Sequence, residues 1–429
     1  MKKCKVCTFL ASGIEFRYNA ISLCNRVSHV GGGDIVVDFY DENNNKKFIF
    51  DVRSYLRKRN EVIYKNQTNE IYPKCIGCME LSRLKEINIK DLKISDIVLH
   101  HWTKCNSNCI YCYTSSDKHY FNIRKSYKFL PILKSLISRN LLEYGGTVNW
   151  AGGEISCLDE FESILAILDR YDFFSIFNSS CVKFESSIAS HLKSEKGVLV
   201  VSLDCGSKET HKKIKQVDTY EQVWENISKY IDIAHNKNSV NLKYIILPGV
   251  NDNKLEILEF LRKASFVGIK QVIFDIDIYY LNENRNNIKK YIVDLFYYAL
   301  EQCIEFGISF LLYPNSRMIF SDGKYENKKM LEYVFGESRF DTSRRNIPLY
   351  SIDKAGNITK YFSIQHASKL EKIKYGKVLK MCDLSSHNKF VFVNGKTYIY
   401  CKNIDQKGRI NSDKVKEILA SRKLYFYNL

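Results

Sequence analysis

Lys104-Cys105-Asn106-Ser107-Asn108-Cys109-Ile110-Tyr111-Cys112 sets three cysteines at the spacing C-x3-C-x2-C, with an aromatic residue directly before the last. Three thiolates on one tight loop fall one short of closing a tetrahedral zinc site. They suit a four-iron cluster held at three corners, whose fourth iron stays open to a small molecule. With 14 cysteines in 429 residues, chance yields this spacing only about 0.015 times per chain of this kind. The alternatives are a zinc knuckle lacking one ligand and a group of buried thiols.

Further stretches line up behind the loop. Asp96-Ile97-Val98-Leu99-His100-His101-Trp102 reads as a short apolar strand ending just before Cys105. Thr147 to Trp150 is a second β-forming run, and it closes on Ala151-Gly152-Gly153-Glu154. Glycines there would let backbone approach a ligand without interference from Cβ, and Glu154 brings a charge suited to an ammonium group. Gly197 to Asp204 is a buried strand with Ser202 and Asp204 at its end; side chains at i and i+2 share a strand face. Helix capping or a strand-end turn would explain the same pair. Glu209 to Lys215 follows as a helix start, and Asn241 to Leu247 runs into the turn Pro248-Gly249-Val250-Asn251-Asp252.

The cysteine loop, Gly-Gly-Glu and Ser-x-Asp, in this order, resemble the radical S-adenosylmethionine (SAM) superfamily. The resemblance implies a [4Fe-4S] cluster on Cys105, Cys109 and Cys112 whose open iron chelates SAM. An electron from the cluster then cleaves SAM to a 5′-deoxyadenosyl radical, which takes a hydrogen atom from substrate. It implies SAM contacts from Tyr111, from Gly152, Gly153 and Glu154 at the methionine amine, from Ser202 and Asp204 at the ribose, and from the 241–252 turn beside adenine. It also implies an electron donor of flavodoxin or ferredoxin type.

The fold class expected is α/β. Strands at 96–102, 147–151, 174–178, 198–204, 241–247 and 271–278 alternate with amphipathic segments at 124–141, 159–171 and 287–306, the pattern of a parallel sheet with crossover helices. Six such units match the partial (β/α)6 radical SAM barrel, with ligand groups at the C-terminal strand ends. Three regions follow: a Cys-rich module at 1–90, the barrel at 94–315, and a β-rich extension at 316–429.

Residues 1–90 hold Cys4, Cys7, Cys24, Cys75 and Cys78, including two C-x2-C pairs of the kind that bind metal or Fe–S centres. Gly13 to Ile21 suggests a hairpin leading to Cys24. The layout resembles the twitch domain, a reduced SPASM-like module carrying an auxiliary four-iron cluster, placed here before the barrel. That resemblance implies a second [4Fe-4S] cluster; four ligands from five cysteines leave a choice, with Cys7, Cys24, Cys75 and Cys78 favoured and Cys4 free or substituting, and zinc is the alternative metal. In the last third, 351–359 and 389–400 read as hairpins, the latter around Asn394-Gly395, and 411–423 reads as a helix. Cys382 and Cys401 are too few to complete a cluster. Cys157, Cys181, Cys205 and Cys303 read as core residues.

The formal net charge of +17 admits nucleic acid or acidic substrates. Its lysines, as in 208–215 and 369–380, are scattered, and a solvated basic surface explains them. No apolar run is long enough to span a bilayer, and reduced thiolates place the expected enzyme in the cytoplasm. The function expected is oxidation or epimerisation of a sugar or peptide. A tRNA-modifying enzyme and a non-enzymatic, metal-braced interaction module are the competing expectations.

Overall fold

Phe16, Leu99, Trp150, Phe177, Leu199 and Val240 form one unbroken cross-strand row, and each is at 0% exposure. That row is the spine of a sheet that the computed structural model shows with ten strands. The structure describes residues 4–17, 20–24, 36–39, 50–67, 71–75, 85–87, 92–112, 127–284, 287–313, 316, 319–320, 349–353, 358–361 and 396–400. The chain divides into two compact units, Met1–Ile319 and Phe320–Leu429.

In the first unit the strands are β1 (Cys4–Val6), β2 (Gly13–Arg17), β3 (Ala20–Ser22), β4 (Val36–Phe39), β5 (Lys85–Ile87) and β6 (Ile94–His100). They continue as β7 (Leu142–Trp150), β8 (Phe174–Ser179), β9 (Gly197–Ser202), β10 (Val240–Ile246), β11 (Gln271–Ile276) and β12 (Ser309–Leu312). The sheet order is β12-β11-β10-β9-β8-β7-β6-β2-β3-β4. Every pairing from β12 to β2 is parallel, as crossover connections require. The expected hairpin forms between β2 and β3. β2 also pairs with β6, so N-terminal strands extend the same sheet.

The helices are α1 (Thr8–Ser12), α2 (Val52–Lys65), α3 (Leu130–Ser138), α4 (Phe161–Arg170), α5 (Ser186–Lys193) and α6 (Lys208–Lys215). After them come α7 (Tyr220–Ile233), α8 (Lys254–Phe266), α9 (Ile278–Asn284) and α10 (Lys290–Glu305). The helix expected from residue 124 begins at Leu130, where Pro131 occupies the first turn and presets its φ. α4 buries Phe161, Ile164, Leu165 and Leu168, one helical stripe. Phe161 meets Trp150 edge-on at 5.0 Å between ring centroids. The fold is thus α/β, with a parallel sheet of the kind a partial radical SAM barrel has. No helix among the described residues is long and apolar enough to cross a membrane.

In the second unit β13 (Leu349–Asp353) lies between β14 (Ile358–Tyr361) and β15 (Lys396–Tyr400), all antiparallel. The first expected hairpin is β13–β14. β15 pairs with β13; the other half of the second expected hairpin, the 411–423 helix, Cys382 and Cys401 lie outside the described residues.

Along a strand, side chains alternate between faces. Register therefore puts Glu15, Arg17, His100, Asn149, Asn178 and Lys243 on the face opposite the apolar row. Glu15 Oε2 accepts from Arg17 Nη2 at 2.9 Å, and its Oε1 lies 3.1 Å from His100 Nδ1. Burial opposes the charge on Glu15, but His100 and then Arg17 outweigh it and hold its pKa down to about 2. A carboxyl depressed this far contributes on the order of 2–3 kcal/mol at neutral pH. That stability is fully present above the unfolded-state value of 4.5 and is lost as pH falls towards about 2. Urea unfolding at stepped pH checks this: Glu15→Gln is expected to be less stable than wild type at pH 7, with the gap closing as pH falls through that window.

Candidate functional site

The cysteine loop leaves β6 at the C-terminal edge of the sheet and is gripped from two sides. On the first side, Gly153 N donates to Trp102 O at 2.8 Å, Glu154 N to Lys104 O at 3.0 Å, and Trp102 Nε1 to Glu154 O at 3.1 Å. A Cβ on Gly153 would sit 2.2 Å from Lys104 O, and one on Gly152 would sit 2.6 Å from the Trp102 ring. The space saved by both glycines is filled by the loop's own chain. Both glycines therefore let the loop dock.

On the second side is the C-terminal end of α6, where the last carbonyls of a helix lack partners within it. Ile110 N donates to Ile214 O and Asn108 N to Lys215 O, each at 3.0 Å, and Asn108 Nδ2 donates to Gln216 Oε1 at 2.9 Å. Gln216 closes the helix with φ 58°. The start of α6 is fixed as firmly. Ser207 caps it, and Glu256 accepts from Gly206 N at 2.7 Å, Ser207 Oγ at 2.6 Å and Thr210 Oγ1 at 2.8 Å.

Beneath the loop lies Asp204, at 0% exposure. Its Oδ2 accepts from Tyr111 OH and from Lys215 Nζ, both at 2.5 Å, and its Oδ1 accepts from Ile245 N at 2.8 Å. Lys215 Nζ also lies 2.9 Å from the Tyr111 hydroxyl. β9 ends at Ser202, and Asp204 has φ 64°. The alternation rule therefore stops before Asp204, and Ser202 and Asp204 do not share a strand face. Burial opposes ionisation of Asp204, yet Lys215 and then Lys243 keep its pKa below the usual range. Burial also works against the charge on Lys215, but Asp204 and then Cys109 raise its pKa. Burial, then Asp204, drives the Tyr111 phenol well up.

Glu154, nearly buried, accepts from Ser179 Oγ, Ser180 N and Ser180 Oγ, each at 2.7 Å. Ser180 Oγ also lies 3.0 Å from Asn106 Oδ1 of the loop. Asn251, in the turn after β10, donates to Asp204 O at 2.7 Å and to Ile245 O at 2.8 Å. Sequence reasoning missed Ser179, Ser180 and above all Lys215. Lys215 was grouped with a scattered basic run but is 2% exposed; its position on the inner face of a short amphipathic helix was the signal available.

The donor set suits a cationic iron cluster. Burial of the sulfur first, then Glu154, Cys109 and Cys112, push the Cys105 thiol up to about 12, against a hydrogen bond from Ser107. Burial raises Cys109 too, with Lys215 opposing. Two neighbouring thiols, Cys105 and Cys109, that resist ionisation are relieved by a shared cation, which deprotonates its thiolate ligands. Among the described residues no three Cys, His, Asp or Glu side chains converge on a single-ion site; thiolates that each serve a different iron have no need to.

Residues 99–261, from the end of β6 into α8, match the model of the radical SAM superfamily. This segment is similar to radical SAM domains. The family implies a [4Fe-4S] cluster and SAM. No curated protein is similar to the chain in sequence. Among solved structures, SuiB of Streptococcus suis bound to precursor peptide SuiA has a TM-score of 0.43 at 11% identity, covering 70% of this chain and 64% of that one. The structure of anSMEcpe with bound AdoMet gives 0.38 at 18%, covering 49% and 56%. A radical SAM methyltransferase from Sphaerobacter thermophilus gives 0.33 at 14%, covering 49% and 63%. The chain thus spans 56% to 64% of each, and likeness at these scores stops short of function.

In the N-terminal part, Cys7 precedes α1, Cys24 follows β3, and Cys75 ends a short 3-10 turn where Asn66 Nδ2 lies 3.4 Å from its Sγ. Cys78 lies outside the described residues. β1 pairs with β5, with Cys4 opposite Ile87, so the first C-x2-C pair lies along the segment that follows the second.

Two variants probe the grip on the loop. Gly153→Ala is expected to lower iron bound on anaerobic reconstitution several-fold with circular dichroism unchanged. Lys215→Met strands a buried carboxylate and is expected to cost about 3–5 kcal/mol in urea unfolding, with the double variant Asp204→Asn/Lys215→Met recovering part of it.

Proposed function

We propose that the protein is a radical SAM enzyme in which Cys105, Cys109 and Cys112 hold the catalytic [4Fe-4S] cluster, and that it oxidises or epimerises a sugar or peptide. The two-sided grip that fixes the three-cysteine loop at the C-terminal edge of the sheet supports this reading most directly. The chemistry supplied by such a cluster with SAM is reductive cleavage of SAM to a 5′-deoxyadenosyl radical. The protein's share is to bind, orient and exclude.

Glu154 keeps a carboxylate beside the loop, held by Ser179 and Ser180, as a partner for the methionine ammonium of SAM. Ser202, on the polar face of β9, is the ribose contact. Asp204 has its carboxylate engaged by Lys215, Tyr111 and Ile245 N, and so acts by fixing Tyr111 on the cysteine loop. The polar sheet face, with Glu15, Arg17, His100, Asn149 and Asn178 near its C-terminal edge, forms the substrate wall. Residues 1–90 supply a second metal centre on Cys7, Cys24, Cys75 and Cys78, iron–sulfur or else zinc, a reading that rests on the two C-x2-C pairs. The neighbours SuiB and anSMEcpe are seen with peptides, in keeping with the peptide half of the proposal. A flavodoxin- or ferredoxin-type donor supplies the electron.

Anaerobic reconstitution is expected to give about eight irons per chain, falling to about four in the Cys105/Cys109/Cys112→Ala variant. Reductant-dependent 5′-deoxyadenosine formation is expected in wild type and absent in Cys109→Ala. Iron near zero, or no SAM cleavage by the loaded protein, would overturn the enzyme reading. Four irons with one zinc would remove only the second cluster.

A further inference from the structure

Asn149 on β7 and Asn178 on β8 are neighbours on the polar sheet face, just before Gly152-Gly153-Glu154 and Ser179-Ser180. Asn178 Nδ2 donates to Asn149 Oδ1 at 2.7 Å and to the main-chain oxygen of Trp150 at 3.1 Å. A carbonyl oxygen can only accept, so Trp150 decides which way the Asn178 amide faces, and Asn178 in turn decides Asn149. Both N–H bonds of Asn178 are thereby used. What the pair still offers is one acceptor, Asn178 Oδ1, and one donor group, Asn149 Nδ2. Both residues are half-buried, and neither is charged.

A fixed donor beside a fixed acceptor, on neutral groups, has a specific complement. In an extended chain the N–H and C=O of one residue point to the same side, which is how strands exchange paired hydrogen bonds. We infer that the Asn149–Asn178 pair is a docking site for one extended residue of a peptide substrate. The substrate carbonyl accepts from Asn149 Nδ2, and the same residue's N–H donates to Asn178 Oδ1. A sugar hydroxyl both donates and accepts, so the test sets a sugar against the peptide at the same two groups. The inference rests on the reading of this sheet face as the substrate wall, and it narrows the substrate class proposed above.

The test uses the full-length reconstituted protein labelled with 15N-asparagine, reading the side-chain amide signals of Asn149 and Asn178. Asn149→Asp and Asn178→Asp assign those signals by their loss. The probes are N-acetylglycine N-methylamide, its ester analogue in which the glycine N–H is replaced by oxygen, and methyl glucoside. The capped glycine is expected to shift both signals saturably, and the ester analogue to bind at least tenfold more weakly. Asn149→Asp keeps the acceptor for Asn178 but loses the free donor, and is expected to weaken the capped glycine at least tenfold, read on Asn178. The ester comparison uses wild type alone and stands if that variant does not fold. Absence of a saturable shift, equal response to methyl glucoside, or displacement of the capped glycine by SAM would overturn the inference. SAM cleavage by the same wild-type sample separates the two levels: cleavage with no amide response sinks the docking site alone, and no cleavage sinks the enzyme reading.

Discussion

Asp204 carries its charge at 0% exposure and draws donors from three different places: Tyr111 on the cysteine loop, Lys215 at the end of α6, and the backbone of Ile245 on β10. Burying two ions costs several kcal/mol each unless close pairing and further hydrogen bonds offset it. Here the ammonium, the phenol and the strand amide all do so at one carboxylate. The arrangement leaves little freedom. Because Lys215 must reach Asp204, the last turn of α6 must end beside the loop, and its two unpaired carbonyls then meet Asn108 N and Ile110 N. The positive φ of Asp204 is a strained conformation for a residue with a side chain, held because the three donors over-determine it.

The remainder of the site depends on how the sheet is divided. The row from Phe16 to Val240 commits one face to packing against helices, so the polar residues of the same strands fall on the other. The C-terminal strand ends therefore gather groups of different character at one edge: the loop thiols, the Glu154 cradle, the Glu15–Arg17–His100 cluster and the asparagine pair. β2 belongs to this edge through its parallel register with β6. The wall opposite the apolar row thus includes residues from well before the matched radical SAM segment.

Several features were legible directly. Strands at 96–102, 147–151, 174–178, 198–204, 241–247 and 271–278 appear within a few residues of those positions, because each is a short β-branched or aromatic run bounded by turn residues. The C-x3-C-x2-C spacing marked its loop without help from structure. Local rules failed where the local conformation broke. Asp204 left the strand alternation through a left-handed φ, and Pro131 delayed α3. That Gly152 and Gly153 also make room for Trp102 and Lys104 is something a sequence cannot show.

By itself, then, the sequence determined the periodicities and the chemistry: a parallel α/β pattern, three thiols on one loop, and carboxylates and glycines at strand ends, all set by residue types a few positions apart. Only the tertiary structure decided partnership. Lys215 is 104 residues from Tyr111, Asn178 is 29 from Asn149, and Glu15 meets His100 on the neighbouring strand. A lysine in a basic run reads as solvated until a buried carboxylate stands beside it. An asparagine reads as a turn former until the register of two strands sets it against another. Such pairings arise from ladder register and helix ends, where the energy of a polar group depends on which neighbour the fold brings within hydrogen-bond reach.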